Sequence, residues 1–442
     1  MRAPERATLL PGVAAAAAVA MTLGWLSAQI APRGPITTGQ ALLVMTLALL
    51  AGVAGGLLVR SRWVLVVVAI GTLVGVEVGR LDVHAASLAF RFDNAYGIIA
   101  FVASRGLHGL LALLPMALGV MAGIGLARRM GWLPARTTRR LPIGSIVLVL
   151  LMVGLAVVVI LPASTPPVVG RDGQPVPGSL AELTTVELGG DPHAVLIRAA
   201  DADAPVLLYL SGGPGQSDLA LARVLTSGWV EDLVVVAFDQ RGNGKSYAAL
   251  DPLADMTLDR AVDDVIELSE VIRDRFDEER IYLMGESWGT LLGVLAVQRR
   301  PDLYHAWIGS GQMVDVAETD RGVYRDLVAY AERTADTALA AALADIGEPP
   351  YRDLPWSNAR VMGWYELLYE PFTPSPGYQA RGEASGLDPF GMLGTEYGLM
   401  EKANVLRGLI DTFEQVYPQL YGFDLRESVS RLDVPVWILD GA

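Results

Sequence analysis

The stretch Ile281-Tyr282-Leu283-Met284-Gly285-Glu286-Ser287-Trp288-Gly289-Thr290 runs directly into Leu291, Leu292, Val294 and Leu295. A short apolar run, then Gly-x-Ser-x-Gly, then an apolar helical pattern describes a strand, a sharp turn and a helix. In that context the serine sits in a strained elbow with its oxygen exposed. The residues two before and two after must be small, so that strand and helix backbones can pass close to the turn. The helix that starts beyond the serine points free N–H groups at the site, where they favour developing negative charge.

Working upstream, Val206–Leu210 and Leu233–Phe238 are continuous apolar runs of the kind found in buried parallel strands. The first ends in Ser211-Gly212-Gly213-Pro214-Gly215, where glycine lets a bare backbone N–H approach a substrate. The second ends in Asp239-Gln240-Arg241-Gly242-Asn243-Gly244-Lys245-Ser246. This loop lacks the phosphate-binding spacing, so Asp239 and Arg241 are expected to brace it beneath the site. Leu258–Ile272 reads as a helix with one apolar stripe, and Ala306–Gly309 as the next strand. Alternating strands and helices predict a parallel α/β sheet, with Ser287 at the carboxyl edge where such sheets bind ligands. Thr184–Leu188 and Ala194–Ile197 predict a leading antiparallel hairpin, with His193 at its turn on the surface.

These three motifs, in this order, resemble the proline iminopeptidase type of α/β-hydrolase over about residues 180–311, and loosely to 442. The resemblance implies Ser287 as nucleophile, and an oxyanion hole from the N–H of Trp288 and one N–H of the Gly212-Gly213 pair. It also implies a helical cap after the strand at 306–309. Trp356, Trp364, Tyr365 and Tyr369 would form an aromatic lid or the cap's own core, and Glu366 is the candidate for a substrate's free amino group. Ser211 departs from the family, which usually has histidine there, and Gly311–Asp315 is not its typical cap entry.

The first 162 residues are of another kind. They hold thirteen arginines, no lysine and four acidic residues, a net charge of +9; the remainder carries −23, for a total of −14 in 442 residues. An acidic soluble part excludes nucleic acid as a partner. The absence of cysteine excludes disulfides, thiol catalysis and cysteine-ligated metal, and no metal or organic cofactor is implied. About five stretches are apolar enough to span a bilayer: Leu9–Ile30, Ala41–Val59, Trp63–Val78 (the shortest), Leu107–Ala127 and Ile143–Leu161. The first reads as a retained anchor rather than a cleaved signal, because further spans follow. Arg2, Arg6, Arg60, Arg62, Arg128, Arg129, Arg136, Arg139 and Arg140 fall in alternate loops, against Arg33, Arg80, Arg91 and Arg105 in the others. That asymmetry puts the N-terminus in the cytoplasm and, with five spans, the hydrolase outside it. Glu77, Asp82, His84, Arg91, Asp93, Arg105 and His108 read as an ordinary wetted outer loop, with a polar interfacial site as the alternative.

The expected organisation is therefore an α-helical transmembrane domain (1–162), a Pro/Gly-rich linker (163–180), the first part of an α/β-hydrolase core (181–311), a helical cap (312–430) and the start of the core's last part (431–442). Only His305 follows Ser287, at the far end of its strand, and Asp440 precedes the position expected for the acid. The expectation is a truncated C-terminal end, with the catalytic acid and histidine beyond Ala442. The expected function is a multi-pass cell-membrane serine hydrolase acting through an acyl-enzyme on small peptides or N-terminal amino-acid derivatives. The alternatives are an esterase of small acyl esters and a non-catalytic membrane sensor that keeps the fold.

Overall fold

The computed structural model describes residues 3–133, 143–170, 172–369 and 394–440. Arg2, Arg136, Arg139 and Arg140, used above for orientation, lie outside these, as do residues 370–393 of the expected cap. The chain forms two compact units, one from the N-terminal helices and one from the sheet and its helices.

The helical unit contains α1 (Ala3–Ile30), α2 (Thr38–Val59), α3 (Val64–Gly79), α4 (Ala95–Phe101), a π-turn (Val102–Gly106), α5 (Leu107–Arg129) and α6 (Ile143–Ile160). Among the described residues, four helices are long and apolar enough to cross a membrane: Leu10–Ile30, Thr38–Val59, Ala95–Arg129 and Ile143–Ile160. The third expected span is a helix of 16 residues, about 24 Å long against a hydrocarbon layer of about 30 Å. The fourth begins twelve residues earlier than the hydropathy suggested, because Asn94 caps it by accepting the Gly97 N–H at 2.8 Å. Small residues bring the helices together. A methyl group at Gly52 would stand 2.2 Å from the Met116 carbonyl oxygen, and one at Gly119 2.3 Å from that of Leu49. Gly52-x-x-x-Gly56 on α2 and Gly119-x-x-x-Gly123 on α5 thus permit the backbone contact that drives helix pairing in lipid.

The second unit is built on a seven-stranded sheet of order β1-β2-β4-β3-β5-β6-β7. Its strands are β1 (Leu180–Leu188), β2 (Asp191–Ala199), β3 (Val206–Leu210), β4 (Val234–Phe238), β5 (Ile281–Glu286), β6 (Tyr304–Ser310) and β7 (Val436–Leu439). β1 and β2 form the expected antiparallel hairpin, and β3 to β7 run parallel. β3 and β4 are buried throughout, as their unbroken apolar runs require. Helix α8 (Leu258–Arg275) buries Val262, Val265, Leu268 and Ile272, one residue per turn, and is capped by Thr257. α7 (Leu219–Leu225) and α9 (Trp288–Arg299) complete the layers.

After β6 the chain enters α10 (Val316–Thr334), α11 (Thr337–Ile346) and α12 (Trp356–Trp364), which share a core of Tyr324, Leu327, Leu343 and Val361. Between α10 and α11 the chain breaks at Ala335, left-handed at φ 57°, and restarts where the Asp336 carboxylate caps Ala338 and Leu339. A further helix, α13 (Leu399–Val416), precedes β7. Its Val405 joins Leu207, Tyr209 and Leu219 in the core on the sheet, so this part of the chain belongs to the hydrolase body.

Candidate functional site

Ser287 closes β5 and opens α9 with φ 49° and ψ −117°, a left-handed conformation costly for a side chain that bears a Cβ. Hydrogen bonds hold the strain. The Ser287 N–H donates to the Ser310 carbonyl at 2.9 Å, and the Ser287 carbonyl accepts from the Thr290 N–H (2.8 Å) and hydroxyl (2.5 Å). The Thr290 hydroxyl oxygen in turn accepts from the Met313 N–H at 2.9 Å, which ties the elbow to the chain leaving β6. Ser287 itself is exposed. The flanking glycines are there for space. A methyl at Gly289 would stand 2.4 Å from the Leu210 carbonyl oxygen, and one at Gly285 2.4 Å from that of Gly289.

The loop after β3 lies against the elbow. A methyl at Gly212 would stand 3.5 Å from the Ser287 Cβ, so this backbone borders the serine as the sequence expected. Gln240 fixes the two together: its amide donates to the Ser211 carbonyl (3.1 Å) and hydroxyl (3.0 Å), and its oxygen accepts from the Trp288 indole N–H at 2.8 Å. Ser211, where the family pattern has histidine, is thus engaged in holding the loop. Asp239 accepts from the Lys245 N–H at 2.8 Å and the Tyr397 hydroxyl at 2.9 Å. Arg241 forks onto Asp264 at 3.0 and 3.2 Å and also pairs with Asp191. Both residues brace the loop, as their positions suggested.

Two acidic residues escaped the sequence reading. Glu286, half-buried beside Ser287, accepts from the Tyr209 hydroxyl at 2.5 Å. Asp218 is buried, with one oxygen accepting from the Gln216 amide at 2.8 Å. Burial foremost, with Glu286 and Asp239 nearby, pushes its carboxyl up to about 8. Neither has a sequence signal of its own: Glu286 is the variable position of the motif, and Asp218 sits in a loop whose depth only the fold sets.

The histidines are distributed differently from expectation in one case. His193 is fully buried rather than on the surface. Its ring lies 3.8 Å from Asp264 and hydrogen-bonds the Asp191 carbonyl, and burial lowers its pKa. The groups that cover it are distant in the chain: Phe238, whose ring centre lies 6.5 Å from that of His193, and Asp264 of α8. His305 is exposed at the start of β6, its ring 5.2 Å from that of Tyr282. It lies five residues from Ser310, the elbow's partner, roughly 16 Å along the strand. Asp440 follows β7 and is exposed. Trp364 packs against the α10–α12 core with Arg360 5.1 Å above its ring, and Tyr365 and Tyr369 stack in the same cluster. These aromatics take the role of cap core. Glu366 is exposed in the π-turn that follows α12, and partial desolvation raises its carboxyl.

A strained strand–serine–helix turn at the carboxyl edge of a sheet of this order defines the class: residues 180–439 form an α/β-hydrolase. A family model described as serine aminopeptidase, S33, matches residues 222–347. The probable aminopeptidase YbaC of Bacillus subtilis (strain 168) is 28% identical over 264 residues, 60% of this chain and 81% of that protein. The proline iminopeptidase of Aeromonas sobria is 29% identical over 150 residues, 31% of this chain and 34% of that protein. Among solved structures, proline iminopeptidase from Mycobacterium smegmatis aligns at 19% identity and a TM-score of 0.41, over 58% of this chain and 80% of that one. The sheet unit has an α/β-hydrolase fold and is similar to aminopeptidases of the proline iminopeptidase type; among the described residues, four helices long and apolar enough to cross a membrane precede it.

Proposed function

We propose that this protein is a membrane-anchored serine hydrolase of the aminopeptidase type, acting on small peptides or N-terminal amino-acid derivatives. The observation that carries the proposal is Ser287, exposed at φ 49° with the Gly212 backbone beside it. In this reading Ser287 attacks the carbonyl. The N–H of Trp288 at the start of α9 and one N–H of the Gly212-Gly213 pair stabilise the developing oxyanion, and an acyl-enzyme is then hydrolysed. His305, at the opposite end of its strand, is not the base. The hydrolase unit faces out of the cytoplasm when five helices cross and into it when α3 does not, since the number of crossings sets the side.

A membrane-impermeant fluorophosphonate applied to intact cells that express the protein tests nucleophile and sidedness together. Labelling of intact cells, lost in Ser287→Ala and kept in His305→Ala, is the expected result. Labelling only after lysis would reverse the orientation, and labelling that survives Ser287→Ala would remove Ser287 as nucleophile. Absence of any labelling in either state would favour a binding module that keeps the fold.

Recognition of the amino group has two acidic candidates. Glu366 is the one the resemblance supplies, and Glu286 is the one adjacent to the serine. Removing the carboxylate that holds a substrate ammonium should raise KM about 10-fold or more, the scale of one lost charged hydrogen bond. The expectation is that Glu366→Gln does so for peptides with a free amino terminus and leaves N-blocked esters unchanged. An equal effect on both substrates would take Glu366 out of recognition. A selective effect in Glu286→Gln alone would move the role to the elbow.

A further inference from the structure

The helical unit holds a cavity of about 240 Å³ between α3 and the π-turn–α5 segment. Its long wall is apolar, with Ala69, Leu73, Ala112, Leu113 and Met116, and its other end carries Glu77, Arg80, Arg105 and His108. From Ala69 to Glu77 the slot follows two turns of α3, about 12 Å. Leu73 and Leu113 are 59% and 52% exposed, so the slot opens on the outer, lipid-facing side of the helices. The sequence reading took the ionisable residues here for a wetted loop. That holds for Asp82, His84 and Asp93, which are exposed. It fails for Glu77, Arg105 and His108, which converge on the slot.

The polar end is built rather than incidental. Arg105 projects from the π-turn, a device found often at functional sites. Its guanidinium forks onto Glu77 at 2.9 and 3.2 Å, donates to the Leu88 carbonyl, and lies 4.0 Å over the Phe90 ring. Arg80, 5% exposed, stands 3.7 Å from the same carboxylate. The His108 ring meets the Ser27 hydroxyl at 3.1 Å. The Thr72 hydroxyl, 8% exposed on the cavity wall, has no hydrogen-bond partner among the described residues.

We propose that this slot binds a single-chain amphiphile with an anionic head group, its hydrocarbon along Ala69–Met116 and its carboxylate or phosphate at Arg105 and Arg80. The wall of the slot carries two guanidiniums and one carboxylate, a lining that selects an anion over a cation or a neutral head. The apolar wall selects a chain, and the lateral opening lets it enter from the bilayer. This site is independent of the hydrolase reading.

The test uses the full chain in phosphatidylcholine nanodiscs with a dansyl-labelled undecanoic acid as probe. Saturable binding is expected, with the probe's methyl ester at least about 10-fold weaker, as one charged hydrogen bond implies. Arg105→Gln should lose that discrimination. Leu73→Trp, at a lining position that is 59% exposed, should weaken the acid about 10-fold by filling the mouth. Displacement by oleate identifies a free fatty acid as the natural source, and displacement only by lysophosphatidylglycerol identifies a single-chain phospholipid. Displacement by neither, equal binding of acid and ester, or unchanged binding in Leu73→Trp would overturn the proposal.

Discussion

Gly289→Ala is expected to lower the unfolding temperature of the hydrolase unit by about 5–10 °C and to slow fluorophosphonate labelling of Ser287 at least about 10-fold. The added methyl would meet the carbonyl oxygens of Leu210 and Ser211 at 2.4 and 2.7 Å. Both are backbone atoms of the strand that ends beside the serine, so neither can swing away as a side-chain tip would. Relief requires α9 to move off β3, which shifts the Trp288 N–H and Gly212 relative to each other. Gly322→Ala is the control: it lies within α10, where an added methyl meets nothing within 4 Å. Helix propensity alone predicts a stabilisation there of about 0.5–1 kcal/mol. Thermal scans and labelling rates of the two variants check the argument. An unchanged melting temperature for Gly289→Ala would show that the packing of α9 on β3 is looser than its contacts indicate.

Asp218→Asn is expected to stabilise the protein increasingly as pH rises. The buried carboxyl is pushed up to about 8 from an ordinary 3.8, so the folded state binds its proton more tightly than the unfolded chain does. Its stabilising contribution is complete below about pH 4 and is lost progressively as pH climbs to about 8. Asparagine keeps the oxygen that accepts from Gln216 and cannot ionise. Its advantage over aspartate should therefore be small at pH 4 and grow by at most about 1.4 kcal/mol per pH unit towards pH 8. Melting temperatures of both proteins from pH 4.5 to 8.5 measure this. A difference that stays flat across the range would mean that burial does not govern the group.

Much of the site's frame was readable in advance because it depends on local constraints. Gly285, Ser287 and Gly289 announce the elbow through their spacing between an apolar strand run and a helical pattern, and the runs at 206–210 and 233–238 announce buried strands through composition. Gly212 could be placed beside the serine through its position after a strand and ahead of the elbow and through the family resemblance, since a glycine pair alone reads equally as a plain turn. The pairs Gly52/Gly56 and Gly119/Gly123 were equally legible, and only the search for charge and length passed them over. The break at Ala335 also had a signal in Asp336, a helix-capping residue inside an apolar periodic run.

Other features have no one-dimensional trace. His193 is polar and stands near a Gly-Gly turn, which reads as surface; it is buried because Phe238 and Asp264, distant in the chain, lie against its ring. Asp218 and Glu286 matter through burial and neighbours, and neither quantity exists before the sheet assembles. Glu77 and Arg105 are 28 residues apart and become an ion pair only when a π-turn rotates one helix against another. Periodicity, small-residue spacing and apolar length thus determined the class of fold, the elbow and the long apolar helices of the first 162 residues. Tertiary packing decided which ionisable groups lose their water, because desolvation depends on what lies across the core rather than on what lies next in the chain.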